Sequence, residues 1–326
     1  MAADGGLITA EDLAGYAVRE RPLVRETVMG FEVISMPPPS SGGAVIVAAL
    51  KALEGAPLAR DGHNSSAYLH RLTEVLKHAF ADRARVMGDP DFTSVPVAEL
   101  IGSETAKRVK AAFDPSRTLA RAAYGGRYGL PEDGGTSHFS VVDGAGNAVA
   151  LTTTVNTTFG SLYVAGATGV LMNNEMDDFI TKPGAPNAYG LIGSAANAIA
   201  PGKRPLSSMS PTIVLQEGRV RLVTGASGGP TIITGTLQIM LDVLVFGMNV
   251  REAIEAPRIH HQWVPDILWV EKGIPADVLD ALRARGHVVK VRGRFNSVQG
   301  IERTKGGWWG ASDPAKRGQP AGVGGP

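Results

Sequence analysis

Residues 134–161 constrain the fold more strongly than any other stretch of this sequence. Two runs of alternating side-chain character, 136–142 and 148–155, flank a turn-forming segment, Asp-Gly-Ala-Gly-Asn, at 143–147. Alternation on both sides of a glycine-containing turn predicts a β-hairpin. The hairpin begins with Thr136 after two glycines. If the chain were cut before Thr136, that one residue would carry both a hydroxyl nucleophile and a free α-amine as its base.

The hydrophobic patterns of the remaining sequence predict a mixture of helices and strands. Apolar residues at helical spacing predict a helix over 66–86, and nearly continuous apolar residues predict buried helices over 44–53 and 231–246. Strands are expected at 24–36 as a pair, at 211–216 and 219–224 as a second hairpin, and at 287–291 and 297–301. The fold class is therefore α+β, with helices covering sheets.

Glycine and proline mark three segments that we expect to lie outside regular structure. Residues 124–135 are expected to form an exposed linker before the hairpin, and 181–196 a surface loop. A loop as long as the second is usually functional or disordered in a compact domain. The tail from Ser312 onward is expected to be loose.

Composition and charge exclude several classes of function. The 326 residues include 32 Lys and Arg against 31 Asp and Glu, so the net charge of +1 gives no reason to expect nucleic acid or an anionic membrane as a partner. The absence of cysteine excludes disulfides, thiolate catalysis and Cys-based zinc sites. No apolar run approaches the ~20 residues of a membrane-spanning helix, and the first residues lack the features of a signal peptide. No cofactor is expected.

Three histidines raise the question of a metal site, which their setting does not favour. His260 and His261 are adjacent rather than one helical turn apart, and no further ligands accompany them or His138. We predict that all three are structural, and we expect no metal.

Seven motifs occur in order along the chain. They are PPPSSGG at 37–43, GDPDF at 88–92, Thr-x-His-x-Ser-Val-Val-Asp from Thr136, Thr-x-Asn-Thr-Thr-Phe-Gly from Thr154, Asn-Asn-x-Met-Asp-Asp-Phe from Asn173, KRPLSSMS at 203–210 and GASGGPTIIT at 225–234. Together they resemble the γ-glutamyltransferase (γ-glutamyltranspeptidase) family of N-terminal-nucleophile (Ntn) hydrolases. The resemblance covers nearly the whole chain. It implies an αββα four-layer sandwich in which Thr136 begins a central strand.

The resemblance also implies a division of the chain into two segments. Family precursors extend further at the N-terminus, so part of the large subunit would be missing here. Residues 1–135 would be the C-terminal portion of the large-subunit segment, and 136–326 the small, catalytic subunit. In the family the absent part carries an arginine that pairs with the substrate's α-carboxylate, and no residue here maps onto it. The two fragments would form a heterodimer after cleavage, in a periplasmic or secreted protein.

The resemblance assigns the chemistry to four residues. Thr136 would be the nucleophile, and its hydroxyl would attack the Gly135 carbonyl to give an ester that water opens. The freed α-amine, with an ordinary pKa of about 7.7–8.0, suits a general base. Thr154 matches a threonine that hydrogen-bonds the nucleophile, and Gly228 and Gly229 before a helix match an oxyanion hole. Taken alone, each of these patterns is also typical of an ordinary strand or turn.

The family's substrate-binding positions are polar residues downstream of the hairpin. For the substrate's α-amino group they are Asn156, Glu175 and Asp178; for its α-carboxylate, Ser207 and Ser208; and as a lid over the site, Tyr189. Carboxylates are natural partners for an ammonium group. Without the resemblance, an Asp-Asp pair is equally typical of a solvated turn or a helix cap.

Three functions agree with these residues. The first is γ-glutamyl transfer from glutathione or a related compound to water, an amino acid or a peptide. The second keeps the chemistry but changes the acyl group, as in the related cephalosporin (glutaryl) acylases. The third is a non-catalytic fragment that needs a complementary chain. Asp178 with Ser207 and Ser208 favours an amino-acid-like acyl group, and therefore the first function.

Overall fold

The computed structural model describes residues 5–124, 135–182 and 185–323. Within them the strands are β1 (Val24–Val28), β2 (Phe31–Ser35), β3 (Thr136–Val142), β4 (Ala148–Thr154), β5 (Thr212–Gln216), β6 (Arg219–Ser227), β7 (Ile259–His260), β8 (Leu268–Glu271), β9 (Val289–Arg292), β10 (Ser297–Thr304) and β11 (Gly307–Ser312). The α-helices are α1 (Ala10–Gly15), α2 (Gly42–Leu53), α3 (Leu58–Asp61), α4 (Ser66–Val86), α5 (Val97–Leu100), α6 (Ser103–Ala112), α7 (Thr231–Leu244), α8 (Val250–Glu255) and α9 (Ala276–Ala284). Short 3₁₀ helices lie at Arg121–Ala123, Gly166–Thr168, Glu175–Asp178, Ala195–Asn197 and Pro314–Lys316.

A six-stranded sheet of order β1-β2-β5-β6-β10-β11 forms the centre of the protein, and all of its strand pairs are antiparallel. A second sheet, β7-β8-β9, contains one parallel pair, β8 with β9. Helices α2 and α7 pack on the central sheet, and α4 packs on α2. Both α2 and α7 are apolar and buried on nearly every side, because they lie between the sheet and the outer helices. Pro230 immediately precedes α7 with a φ of −64°, which suits the start of a helix.

The hairpin β3–β4 packs on the face of the central sheet opposite to the helices. The His138 ring lies so close to Gly225 of β6 that a Cβ there would be 2.4 Å from it. On β10, Gly300 is paired with the residue before Gly225, so it faces the other side, where an added Cβ would meet Val250 of α8 at 2.9 Å. The described residues therefore stack as hairpin, sheet and helices.

The outer face of the hairpin is apolar and exposed. Phe139, Val141, Val149 and Leu151 point away from the central sheet, and between 39% and 52% of each residue's surface is exposed. A strand with one buried and one solvated face normally carries polar residues on the second face. This face is the position that the fourth layer of an αββα sandwich covers.

The predicted α+β class and the long helix at 66–86 are confirmed. The buried helices were also predicted within two residues, and both predicted hairpins form. The strand predicted at 287–291 lies at Val289–Arg292, because the chain first turns at Gly286, whose φ is +91°. Among the described residues, no helix is both long and apolar enough to cross a membrane.

Two predicted loops contain residues that are more buried than expected, and a third predicted loop falls largely outside the described residues. In the surface loop predicted at 181–196, Tyr189 and Leu191 are buried against the core. In the tail predicted to be loose, Asp313 is fully buried and begins a 3₁₀ helix. Of the linker predicted at 124–135, only the first and last residues are described. Tyr124 is partly buried, since its hydroxyl donates to Glu74 of α4.

Candidate active site

The hairpin register brings the predicted nucleophile, Thr136, opposite Thr154. Their Oγ1 atoms are 3.0 Å apart, and either hydroxyl can donate the hydrogen bond. The Val155 N–H donates to the Gly135 carbonyl at 3.3 Å, so Thr136 and Thr154 occupy the neighbouring non-hydrogen-bonded pair, in which side chains approach most closely. Only 3% of the Thr136 surface is exposed. Because Thr136 and Thr154 are directly paired across the hairpin, their side chains lie on the same face of it.

The Thr154 hydroxyl is held by the turn that follows β4. The Asn156 N–H donates to Thr154 Oγ1 at 2.8 Å, and the Asn156 side-chain amide donates to the Asn174 carbonyl at 3.1 Å. Asn156 has a φ of +73°, a left-handed conformation that asparagine tolerates better than most residues. The Asn156 N–H occupies one lone pair of Thr154 Oγ1. The Thr154 hydroxyl can still donate a hydrogen bond to Thr136 Oγ1, or accept one from it through its second lone pair.

Gly135, before the predicted cleavage site, has no room for a side chain. A Cβ there would lie 1.9 Å from the Thr157 carbonyl oxygen and 2.3 Å from that of Asn156. The glycine therefore allows the backbone on the two sides of the site to approach closely. Gly134, the other glycine of the predicted site, lies outside the described residues.

The predicted oxyanion hole has the backbone of a tight turn before α7. Gly228 has a φ of +137° and Gly229 a φ of +51°, both in regions that L side chains rarely adopt. A Cβ on Gly229 would also meet the Tyr189 ring at 2.8 Å. Gly229 lines the same pocket as Thr136, whereas Gly228 precedes it and is not among the lining residues. The Gly228 carbonyl accepts hydrogen bonds from the Thr231 N–H and hydroxyl, at 3.0 and 2.6 Å.

One pocket brings together nine of the ten predicted site residues. They are Thr136, Thr154, Asn156, Glu175, Asp178, Tyr189, Ser207, Ser208 and Gly229. These residues span more than 90 positions of sequence, so their convergence is a property of the fold rather than of local spacing. The pocket has a pair of threonine hydroxyls, a pair of carboxylic acids and a pair of serine hydroxyls.

The two acids of the pocket interact with each other. Burial, followed by the nearby charge of Glu175, raises the pKa of Asp178 well above its ordinary value, and the charge of Arg83 opposes this. Burial also raises the pKa of Glu175, while hydrogen bonds from Asp178 and Thr154 oppose the rise. Glu175 Oε1 is buried with no hydrogen-bond partner among the described residues. A cation bound here would stabilise the ionised form of both acids.

One serine of the pocket, Ser207, is fixed by the proline-rich motif at 37–43. The Ser207 carbonyl accepts hydrogen bonds from the Ser41 N–H at 2.9 Å and from the Ser41 hydroxyl at 2.8 Å. The Ser207 N–H in turn donates to the Pro39 carbonyl at 2.9 Å. Two motifs that are about 170 positions apart therefore form one structural unit beneath the pocket.

Arg83 is a functional candidate that sequence reasoning missed. Its guanidinium is buried on α4, where Nε donates to Ser41 Oγ at 2.8 Å and Nη2 to Ser208 Oγ at 3.4 Å. Burial lowers the pKa of Arg83 to about 10, and the charge of Asp178 opposes this. Its position supplied a signal, because Arg83 continues the apolar stripe of Leu76 and Phe80. A charged residue on a buried helical face is rare unless it is paired.

The γ-glutamyltranspeptidase family model matches residues 1–323. The chain belongs to the γ-glutamyltranspeptidase family. It is 48% identical over 316 residues to the glutathione hydrolase proenzyme of Escherichia coli (strain K12), an alignment that covers 96% of this chain and 54% of that protein. With the glutathione hydrolase proenzyme of Pseudomonas sp. (strain A14) the identity is 42% over 329 residues, covering 97% and 57%. The chain thus spans about half the length of these curated relatives.

Solved structures of this family and of an acylase share the fold. The Helicobacter pylori γ-glutamyltranspeptidase T380A mutant is 49% identical, with a TM-score of 0.53 over 54% of this chain and 98% of that chain. The cephalosporin acylase from Bacillus halodurans is 27% identical, with a TM-score of 0.84 over 99% of this chain and 57% of that chain. The α+β fold of this γ-glutamyltranspeptidase family member is therefore the Ntn-hydrolase fold predicted from the sequence.

The histidines predicted to be structural are each hydrogen-bonded within the protein. His138 contacts the hydroxyls of Thr152 and Ser140, at 2.8 and 3.1 Å, and burial lowers its pKa to about 4. Burial also lowers the pKa of His260 to about 3 and that of His261 to about 4.

A group not identified from the sequence, His70, Glu74 and His287, offers three ligand atoms within 4.8 Å of one another. The His70 and His287 rings are hydrogen-bonded to each other at 2.7 Å, and His70 Nε2 donates to the Asp114 carbonyl at 2.8 Å. Glu74 accepts from the hydroxyls of Thr118 and Tyr124. Hydrogen bonds between the two histidines, and of His70 and Glu74 with neighbouring residues, hold these three side chains in place.

Proposed function

We propose that the whole protein catalyses γ-glutamyl transfer or hydrolysis, with glutathione or a related γ-glutamyl compound as donor and Thr136 as nucleophile. The observation that carries this proposal is the convergence in one pocket of a hydroxyl pair with two acids and two serines. A γ-glutamyl group has an amide carbonyl at one end and an α-amino acid at the other. The pocket offers chemistry complementary to both ends.

In the proposed maturation step, Thr136 Oγ1 attacks the carbonyl carbon of Gly135. The C–N bond to Thr136 breaks as the amide nitrogen takes the hydroxyl proton, which leaves an ester between the two residues. Water then opens the ester, giving a carboxylate on Gly135 and a free amine and hydroxyl on Thr136. On this proposal, 1–135 and 136–326 are the two subunit segments of a heterodimer.

In the proposed transfer step, the α-amine of Thr136 accepts the hydroxyl proton as Oγ1 attacks the γ-carbonyl of the donor. The oxyanion that forms would be stabilised by N–H groups of the Gly228–Gly229 turn, at the positive end of α7. The leaving amine takes the proton, and a γ-glutamyl ester remains on Thr136. Water or an acceptor amine releases the acyl group by the same steps in reverse.

Substrate orientation in this proposal depends on opposite charges. The donor's ammonium group would bind between Glu175 and Asp178, where Glu175 Oε1 is buried without a hydrogen-bond partner among the described residues. Its α-carboxylate would accept hydrogen bonds from Ser207 and Ser208, with the buried charge of Arg83 behind Ser208. Arg83 does not replace the family arginine that no residue here matches, but it gives this end of the pocket a positive charge.

A glutaryl acylase is the second candidate, because the fold is shared with a cephalosporin acylase and a curated relative of this chain is the acylase ACY 1 proenzyme of Pseudomonas sp. (strain SE83), 38% identical over 305 residues. A glutaryl group lacks the ammonium and would leave Glu175 and Asp178 without a counter-charge. Comparing turnover of γ-glutamyl-4-nitroanilide and glutaryl-4-nitroanilide separates the two candidates. We expect the first to be preferred by at least about tenfold; exclusive glutaryl activity would refute the γ-glutamyl assignment.

The exposed apolar face of the hairpin supports a third element of the proposal, a requirement for more protein than this chain. Phe139, Val141, Val149 and Leu151 form a contiguous apolar surface on the outside of the hairpin, and the curated relatives are about twice as long. We propose that the remaining part of the protein covers this face, and that the chain alone is less active. Co-expression with the N-terminal half of a relative should raise both activity and Tm; unchanged values would refute the covering role.

Export to the periplasm or beyond the cell is proposed from the family resemblance.

A further inference from the structure

The C-terminal segment contacts the first residue of β3. Lys316 Nζ donates a hydrogen bond to the main-chain carbonyl of Thr136. The two residues are 180 positions apart, and Lys316 is the last residue of the 3₁₀ helix Pro314–Lys316. Lys316 is exposed as a whole, whereas Thr136 is buried and lines the pocket.

The segment that carries Lys316 is firmly anchored. Asp313 is fully buried and accepts hydrogen bonds from Arg258 Nη2 at 2.6 Å and Arg294 Nη1 at 3.0 Å. Its other carboxylate oxygen accepts from the Ala315 N–H at 3.0 Å, which caps the 3₁₀ helix. A buried carboxylate between two arginines costs several kcal/mol to disrupt. The position of Lys316 is thus set by the core rather than by a free tail.

The pairing of the hairpin determines which way the main chain of Thr136 points. Because Val155 donates to Gly135, the N–H and C=O groups of Thr136 both point away from β4. The Lys316 ammonium at the carbonyl is therefore on the same side as the Thr136 nitrogen. Because Nζ is hydrogen-bonded to the carbonyl oxygen of the same residue, standard backbone dimensions keep the two nitrogens within about 6 Å of each other.

We propose that Lys316 is a positioning residue for the catalytic amine: it fixes the carbonyl of Thr136 and, by its charge, keeps the adjacent α-amine uncharged after cleavage. The inference rests on the proposed function, because the amine exists only in the cut chain. A cation within about 6 Å disfavours protonation of an amine, although the exposure of Lys316 to solvent screens the effect. Only the uncharged amine can accept the Thr136 hydroxyl proton.

The other charged groups around Thr136 come from three elements. Glu175 and Asp178 belong to the 3₁₀ helix Glu175–Asp178 and line the same pocket as Thr136. Arg83 of α4 lies behind Ser208. His138 lies on the same strand, and burial keeps it neutral because its pKa falls to about 4. Burial raises the pKa of both acids, which weakens their ability to favour a protonated amine. Among the described residues, Lys316 is the charged group that is hydrogen-bonded to the main chain of Thr136.

The test compares the full chain with Lys316→Met and Lys316→Arg, and uses Lys305→Met as a matched control on the exposed turn between β10 and β11. The first readout is the pH dependence of the rate at which reductive methylation labels the Thr136 α-amine, measured on its N-terminal peptide by mass spectrometry. The second is the pH dependence of kcat/KM for γ-glutamyl-4-nitroanilide.

For Lys316→Met we expect the acid limb of both profiles to move to higher pH by about half to one unit, so that kcat/KM at pH 6 falls about threefold to tenfold. Above pH 9 the difference should vanish, and Lys316→Arg and Lys305→Met should match the unsubstituted chain. A cut Lys316→Met protein with unchanged profiles would overturn the role of Lys316 and leave the proposed function intact. An unsubstituted chain that stays uncut would overturn the proposed function and this role with it.

Discussion

At the scale of single residues, the Thr136 hydroxyl depends on the groups arranged around it. Thr154 lies 3.0 Å away across the hairpin and is itself held by the Asn156 N–H. The acids Glu175 and Asp178 lie in the same pocket, where burial raises the pKa of each. The hydrogen bond to Thr154 orients the Thr136 hydroxyl, as the proposed attack on a substrate would require.

Replacing Thr154 tests the orientation of the nucleophile. We expect Thr154→Ala to lower kcat about tenfold with little change in KM, because one hydrogen bond to the reacting hydroxyl is lost. Thr153→Ala is the matched control, since Thr153 pairs with Ser137 and does not line the pocket. Steady-state kinetics on both variants provide the measurement; equal losses would contradict a specific role for Thr154.

Replacing Asp178 tests recognition of the ammonium group. We expect Asp178→Asn to raise KM about tenfold to a hundredfold for a γ-glutamyl donor, because a charge-assisted hydrogen bond is lost. Asp177→Asn is the control, since Asp177 accepts from the Ala188 N–H at 2.7 Å and does not line the pocket. An unchanged KM in Asp178→Asn would rule out this recognition role.

The buried arginine beneath the serines is a third test at this scale. We expect Arg83→Gln to lower the free energy of unfolding by about 1–3 kcal/mol, because Ser41 and Ser208 lose a buried donor. KM should rise more than kcat falls, since the positive charge behind the carboxylate-binding serines is removed. Chemical denaturation and kinetics measure the two effects; a stable variant with unchanged KM would contradict both.

At the scale of elements, the hairpin β3–β4 is held on the central sheet by a neutral histidine. His138 fills the space above Gly225, and burial lowers its pKa to about 4. Between pH 6.5 and pH 4 the unfolded chain binds a proton at this residue and the folded chain does not. The unfolding free energy therefore falls as pH decreases through this window, by up to about 1.4 kcal/mol per pH unit for one histidine.

That dependence is measurable as a slope. We expect the free energy of unfolding to decrease from pH 6.5 to pH 4, with His260 and His261 contributing in the same direction. In His138→Asn the slope of the unfolding free energy against pH should be smaller by the contribution of about one proton, which is up to about 1.4 kcal/mol per pH unit. Urea denaturation at half-unit pH intervals gives both slopes, and identical slopes would show that His138 is not neutral in the folded protein.

Local patterns predicted these elements well because each depends on neighbouring residues. Alternation gave both hairpins, and helical spacing gave α4, whose predicted and observed bounds agree. Contacts between distant residues could not be predicted in this way. The bonds of Arg83 to Ser208 and of Lys316 to Thr136 cross 125 and 180 positions. The burial of Asp313 was missed for the same reason, because its partner Arg258 lies 55 positions away.

At the scale of the whole molecule, the candidate site joins segments from both sides of Gly135. Arg83 and Ser41 precede the predicted cleavage point, whereas Thr136, Asp178 and Ser208 follow it. Cutting one peptide bond would therefore leave the site intact only if the two fragments stay together. The sequence motifs predicted nine residues of the pocket, but its dependence on the segment before the cut became visible only in the fold.

On the proposed function, the chain makes its own nucleophile at Thr136 by cutting the bond that precedes it. An intact-mass spectrum after incubation at neutral pH shows whether this cleavage occurs, with Thr136→Ala measured in parallel. We predict two fragments that meet between Gly135 and Thr136 for the unsubstituted chain, and a single uncut species for Thr136→Ala. An unsubstituted chain that remains whole, or a Thr136→Ala chain that is cut at the same bond, would contradict the claim.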